Sequence, residues 1–365
     1  MDEVDEWFYD SIKRYNKLQM FTLDEHVNHI ELSPDANNIC VSNMNMVTKR
    51  CQILEYALPL KFLDTDDSLC STDHNLKIRC GTYVDQLVLE MKVLASSDQI
   101  VTSEKNQSGV NIYSYPKNGS DKITKIDHLD FDAPEPPHIS TCSQSDNLLC
   151  LSQSSSIPIS VVDLNTKCSV VKMNLDCDLE NNAVKTIFVD SNSIGVCSEQ
   201  NGHVRMYDLR CPDEVMSSTM KDKPRGRWTM SMLENSDTLN LLSSDAQVLM
   251  FNIRNLNKPI FNTRLHIKNT NLAEDRLPQI ETCPYDTNQF SVSGFDENVH
   301  IFSKREETLC DEVFTHDAHP YQEHCDKRTR VLYHKWMPKQ YERMLMSSAD
   351  NCSFSCVQYN SRLIQ

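Results

Sequence analysis

Glycine is scarce, with only seven residues in 365. That excludes both the glycine-rich loops that cradle phosphates and glycine-rich linkers. No apolar run approaches the roughly 20 residues needed to span a bilayer, so no membrane-spanning helix is expected. Positive charge is also short: 36 Lys plus Arg face 52 Asp plus Glu, for a formal net charge of -16. A phosphate-binding surface is disfavoured, and no direct nucleic-acid contact is expected. The run Met1 to Glu6 is acidic where a secretory or mitochondrial leader would be basic. It predicts a cytosolic or nuclear protein.

Cysteine is plentiful, at fifteen residues, but spread through a long chain with no export signal. Reduced thiols are expected rather than a disulfide scaffold. Cys40, Cys150, Cys197 and Cys356 sit in apolar strand-like runs, where a thiol behaves as a small hydrophobe. Cys352 and Cys356, four apart, are read as one strand face rather than a redox pair.

Seven short segments share the order apolar, any, apolar, apolar or aromatic, polar. They are Cys51 to Glu55, Val110 to Ser114, Ile159 to Asp163, Val204 to Asp208, Val248 to Asn252, Val299 to Ser303 and Phe354 to Gln358. They recur at 44 to 59 residues, against about 40 to 45 for a four-stranded blade, so the longer intervals imply inserted loops. A second strand precedes each and usually ends in Ser or Thr, as in Ile39 to Ser42 and Met344 to Ser348. A third lies upstream again, as in Val27 to Pro34 and Trp228 to Asp237. A fourth, outermost strand is expected after each shared segment, plausibly Lys258 to Arg264 in one unit.

Seven such units without long helices predict an all-β fold, a seven-bladed β-propeller. Leu18 to Asp24 has strand character ahead of the first unit, and is expected to complete the last blade and close the ring. Residues 18–365 would then form one propeller, and residues 1–17 a short, acidic N-terminal helix. Phe8, Ile12 and Tyr15 share a helical stripe that Ser11 interrupts, with acids at its start and Lys13, Arg14 and Lys17 toward its end. Trp7, Phe8, Ile12 and Tyr15 are therefore candidate partner-binding residues. Packing of this helix on its own propeller is an equally good reading.

The repeats resemble the WD-repeat family, although its tryptophan-aspartate dipeptide is degenerate and survives best as Tyr207 and Asp208 before Leu209 and Arg210. Likeness to one branch of that family is carried by Asp5 to Trp7, Leu58-Pro59-Leu60, Lys77 to Gly81 and Ser293 to Asp296. It continues through Phe314-Thr315-His316, His319, and Trp336 before Pro338. The family's last tryptophan is replaced, with Val357 and Tyr359 there instead. The resemblance implies a cytoplasmic scaffold for assembly or stability of the Integrator complex's endonuclease module in small nuclear RNA processing. It also implies links to the spindle, microtubules and the cell cycle, with a possible spindle-pole or nuclear pool. A ubiquitin-ligase substrate receptor is a rival reading of the same fold.

No nucleophile-base pair, phosphate loop or metal motif emerges, so neither an enzyme nor a cofactor is expected. Asp245, Asp296 and Asp350 occupy equivalent turns in different units, too far apart to act as a carboxylate pair. They are read as structural turn residues. His316, His319, His324 and Cys325 form the densest group of potential ligands, but lack paired metal-site spacing. No metal is expected, and the resemblance implies that His319 hydrogen-bonds Asp350. Lys221 to Arg227 is the one compact basic stretch, read as a solvated loop.

Overall fold

Strands buried on both faces need not alternate apolar and polar residues, and the middle strands of this chain do not. The computed structural model describes residues 3–34, 37–59, 75–116, 120–154, 156–175, 182–218, 226–267, 276–319 and 329–360. A helix, α1 (Glu3–Arg14), runs directly into β1 (Tyr15–Thr22). Blade 1 follows as β2 (His26–Leu32), β3 (Asn38–Met44), β4 (Cys51–Ala57) and β5 (Lys77–Val84). Blade 2 holds β6 (Val88–Leu94), β7 (Gln99–Glu104), β8 (Gly109–Ser114) and β9 (Thr124–Asp130). Blade 3 holds β10 (His138–Cys142), β11 (Ser145–Ser152), β12 (Ile159–Asp163) and β13 (Cys168–Met173). Blade 4 holds β14 (Val184–Asp190), β15 (Ser193–Ser198), β16 (Val204–Asp208) and β17 (Cys211–Ser217). Blade 5 holds β18 (Trp228–Met232), β19 (Thr238–Ser243), β20 (Gln247–Asn252) and β21 (Phe261–Arg264). Blade 6 holds β22 (Gln279–Thr282), β23 (Gln289–Ser293), β24 (Val299–Lys304) and β25 (Cys310–His316). Blade 7 has β26 (Val331–Trp336), β27 (Met344–Ala349) and β28 (Ser353–Tyr359) from the end of the chain.

The fourth strand of blade 7 is β1. It pairs antiparallel with β28, Leu18 opposite Val357 and Phe21 opposite Phe354. The first strands β2, β6, β10, β14, β18, β22 and β26 touch one another in a closed cycle, so they form the inner wall. The result is a seven-bladed β-propeller. The closing strand begins at Tyr15 rather than Leu18, because the helix ends at Arg14. The expected outer strand at Lys258 begins only at Phe261, since Pro259 has no N–H for a ladder.

Each of the seven seams between blades carries its own apolar cluster. Ile39 and Val41 of blade 1 meet Met346 and Phe354 of blade 7, and Leu239 and Phe251 of blade 5 meet Val204 and Met206 of blade 4. Tyr15, Val357 and Tyr359 meet Val299 and Ile301 of blade 6. Burying one such side chain contributes roughly 1.5–3 kcal/mol. Middle strands are sandwiched on both faces, as β27 is at all six positions, whereas outer β13 is mostly exposed.

Exposed outer edges are partly covered. Gly81 of β5 exchanges hydrogen bonds with Asp121 and Ile123 from blade 2, at 3.0 and 3.1 Å. Asn262 of β21 donates to the Glu307 carbonyl of blade 6 at 2.9 Å. Both contacts cap a ladder that would otherwise template aggregation. Every described cysteine is a free thiol. Cys352 lies in the turn before β28 at φ 65°, so it does not share a strand face with Cys356.

Deleting residues 1–22 removes the closing strand and uncovers β28. The expected result is a loss of at least about 5 kcal/mol, from unburying Tyr15, Leu18 and Phe21, and melting lowered by roughly 10 °C or more. Calorimetry with light scattering checks this, and unchanged melting of the shortened chain would refute closure by β1.

Candidate functional site

The N-terminal helix presents one face to the propeller and one to solvent. Trp7 is half-buried and Ser11 is buried, and with Arg14 they follow helical spacing toward the ring. Tyr9 and Ile12 point outward, 58% and 61% exposed. Ser11 thus marks the packed face instead of interrupting it, and Ile12 belongs to the free one. The Phe8 side chain lies outside the described residues. Tyr15 corrects the expected docking set: as the first residue of β1 it is buried against blade 6 and cannot meet a partner.

The root of the helix is a clamp between blades 6 and 7. The Arg14 guanidinium donates to Asp317 Oδ2 at 2.8 Å and to the Thr315 carbonyl, and lies 5.2 Å over the Phe314 ring. Tyr15 meets Phe314 edge-on at 5.2 Å. Its hydroxyl is 2.9 Å from His316 Nδ1 and 3.1 Å from Asp317 Oδ1. Burial, followed by the Asp317 charge, pushes the Tyr15 phenol far up, so it stays a donor.

From Tyr15 a buried polar chain crosses blade 7. His316 Nε2 is 2.7 Å from Ser355 Oγ, and Ser355 is 2.7 Å from Ser347. Ser347 is 2.7 Å from His319 Nε2, His319 Nδ1 is 2.6 Å from Ser353, and Ser353 donates to Asn351 at 2.5 Å. One ordering gives every link a single proton, running from the Tyr15 hydroxyl through His316, Ser355, Ser347, His319 and Ser353 to Asn351. It requires both imidazoles to be neutral. Burial holds His319 down to about 4 and His316 well below its ordinary range.

The expected bond between His319 and Asp350 is therefore corrected. His319 is satisfied by serines, while Asp350 Oδ1 accepts the Arg330 N–H at 2.8 Å across its turn. Both ring nitrogens of His319 are engaged, and no cluster suited to a metal occurs among the described residues. His324 and Cys325 lie outside them.

The other two turn aspartates differ from each other. Asp245 works through its backbone, donating to Ser243 Oγ at 3.2 Å and accepting from Arg264 at 3.2 Å. Asp296 is buried and accepts from the Asn298 N–H at 3.0 Å and from His300 at 3.0 Å. The turn before it needs Gly294, at φ +98° with Pro278 packed against it. His300 also meets Glu312 at 2.6 Å. Burial lowers its affinity for the proton, but the two carboxylates outweigh that and raise it to about 9. Of the basic stretch, Lys221 to Arg225 lie outside the described residues. Arg227 pairs with Glu199 at 2.9 Å.

The inner wall carries a charge belt that strand patterns did not reveal. Glu31 of β2 pairs with Lys92 of β6 at 2.7 Å and with Lys335 of β26, joining blades 7, 1 and 2. Burial would raise the Glu31 carboxyl, but the two ammonium groups hold it far below the usual range. Glu90 likewise binds His138 and accepts the Ile139 N–H at 2.7 Å. Burial opposes its ionisation, yet His138 holds it near 2. Glu281 accepts the Trp336 N–H at 3.2 Å. Three carboxylates thus bridge neighbouring inner strands, two of them by capping an amide on the next strand's edge. A charge on the middle of an apolar strand was the available signal.

Seven four-stranded blades in a closed ring, with serine and histidine networks tying strands within and between blades, define a seven-bladed β-propeller. Nearly the whole chain is similar to proteins named Integrator complex assembly factor WDR73. The Danio rerio protein is 24% identical over 96% of this chain and 95% of its own length. The Xenopus laevis protein is 25% identical over 94% and 95%, and the Homo sapiens protein 20% identical over 97% of both. No family model matches the chain.

Buried neutral imidazoles set a pH dependence. His334 bridges Ser291 at 2.8 Å and Ser293 at 2.7 Å, and burial lowers it to about 3. A folded-state value below the unfolded one means stability is present above about pH 6.5 and is lost as pH falls toward the folded value. His319 and His334 should each remove on the order of 2 kcal/mol between pH 6.5 and 4.5. His300 has the opposite sign, losing its contribution only as pH rises through about 9. Urea unfolding at half-unit pH steps measures the slope, and a flat profile from 6.5 to 4.5 contradicts neutral burial of these rings.

Proposed function

We propose that this protein is a non-enzymatic cytoplasmic scaffold that assists assembly of the Integrator complex, acting on its endonuclease module. The observation that carries the reading is a likeness running the length of the chain to proteins that all bear one assembly-factor name. A propeller supports it physically, because a rigid ring presents rims and loops to several proteins at once. Many of the buried carboxylates and imidazoles, such as Glu31, Glu90, His316 and His334, are engaged in bonds between blades, which supports a binding rather than a catalytic role. The outward face of α1, with Tyr9 and Ile12, is the proposed contact.

The test is tagged purification of the full chain from native cytoplasm, beside a variant carrying Tyr9→Asp and Ile12→Asp. Both positions are exposed, so melting should be unchanged. Intact protein is expected to recover Integrator endonuclease subunits, and the variant at least fivefold less. Equal recovery by both moves the contact off the helix. Recovery of tubulin or ubiquitin-ligase subunits in place of Integrator subunits overturns the function.

A further inference from the structure

One end of the inner wall holds buried polar nitrogens that no described residue satisfies. Asn28 and His29 are the third and fourth residues of β2, Tyr333 is the third of β26, and Arg276 lies three residues before β22. Their mutual contacts bring all four together toward the entry end of the inner strands, on blades 1, 7 and 6. The Arg276 guanidinium stands 5.7 Å over the Tyr333 ring, and His29 packs on Tyr333 with ring centres 4.7 Å apart. Arg276 Nη2 reaches Asn28 Oδ1 at 3.4 Å, the long limit of a hydrogen bond.

Asn28 Nδ2, His29 Nδ1 and Arg276 Nη1 are each shielded from solvent and have no hydrogen-bond partner among the described residues. Asn28 and His29 are 93% and 91% buried, from exposures of 7% and 9%. Several arginines pair with acids: Arg14 with Asp317, Arg227 with Glu199, Arg254 with Asp237 and Arg305 with Asp311. Arg276 has no carboxylate among the described residues. Asn28 Nδ2 and Arg276 Nη1 are donors, while His29 Nδ1 donates or accepts according to tautomer. An unmet buried donor costs roughly 1–3 kcal/mol, more when charged, so two such donors side by side mark a place built for an acceptor.

We infer that this channel mouth is a receptor for the carboxylate side chain of an acidic segment on a protein partner. A carboxylate has two oxygens, which can take the guanidinium fork and the Asn28 amide together. Water could fill the space but would leave the guanidinium uncompensated. The local field agrees: along the channel, Lys92, Lys185, Lys335 and Arg276 outnumber Glu31, Glu90 and Glu281, in a chain whose net charge is -16. Asp190, at the far end of β14, lines a cleft between blades 4 and 5 instead. Burial, with smaller contributions from neighbouring charges, holds the His29 ring near 4, so it stays neutral and adds no competing charge. Arg276 is only half-buried, and can turn outward to admit the ligand.

The inference rests on the protein-binding reading only for the source of the acid. The test uses the purified full chain and no Integrator subunit, so the two can fail separately. A fluorescently labelled peptide, acetyl-Gly-Glu-Gly-Glu-Gly-amide, is titrated by anisotropy beside its Gln counterpart. Saturable binding of the Glu peptide is expected, with the Gln peptide at least tenfold weaker. Arg276→Gln should weaken the Glu peptide at least tenfold, while Arg276→Lys, which keeps the charge but loses the fork, falls between. Asn28→Ala is a second variant should Arg276→Gln fail to fold. No saturable binding, equal binding of both peptides, or full binding by folded R276Q each overturns the proposal.

Discussion

Everything in this molecule depends on a strand from the beginning of the chain completing a blade made at its end. Pairing of β1 with β28 must overcome the entropy of joining segments more than 300 residues apart in sequence, and that entropy grows only slowly with length. Bonds concentrate at this joint accordingly. Arg14, Tyr15, Phe314, His316 and Asp317 meet within a few ångströms of it, through an ion pair, an aromatic edge contact and buried hydrogen bonds. The helix ahead of β1 is therefore a lever fixed at the seam between blades 6 and 7.

Closing the ring also explains why its polar interior is tolerated. A propeller leaves the first strand of each blade with an edge facing the channel, and those amides need acceptors. Glu90 and Glu281 each reach across to a neighbouring inner strand and meet one. Glu31 instead bridges two ammonium groups from different blades. Removing one partner of such a buried pair strands the other charge, a larger effect than the pair's own net contribution.

Legibility in the sequence followed burial. Most second and third strands, such as β7 and β8, are covered on both faces; the second strands usually ended in Ser or Thr and the third in a polar residue where the turn begins. Outer strands such as β9 and β13 face water and carry mixed residues, so only one of them could be suggested. Tyr15 was misread because a helical stripe and a strand start look alike over one turn, and the change of period falls at that residue. The bond expected for His319 failed for a different reason. Ser347 and Ser353 offer it two hydroxyls within hydrogen-bonding distance, a choice that spacing along the chain cannot express.

The polar groups sort by whether they are satisfied. In blades 6 and 7 the imidazoles of His316, His319 and His334 sit between hydroxyls, neutral and fully engaged. His300 is also engaged, but charged between two carboxylates. Other buried polar atoms are also unmet, so it is the grouping of several around one ring that is informative. Scattered lone atoms such as Ser42 Oγ or Trp228 Nε1 are single deficits that one water can fill. At the channel mouth three nitrogens around one aromatic ring share the deficit, and one belongs to an arginine without a described acid. Since an unpaired guanidinium is costly to shield, its retention at the mouth is better explained by an acceptor arriving from outside than by packing.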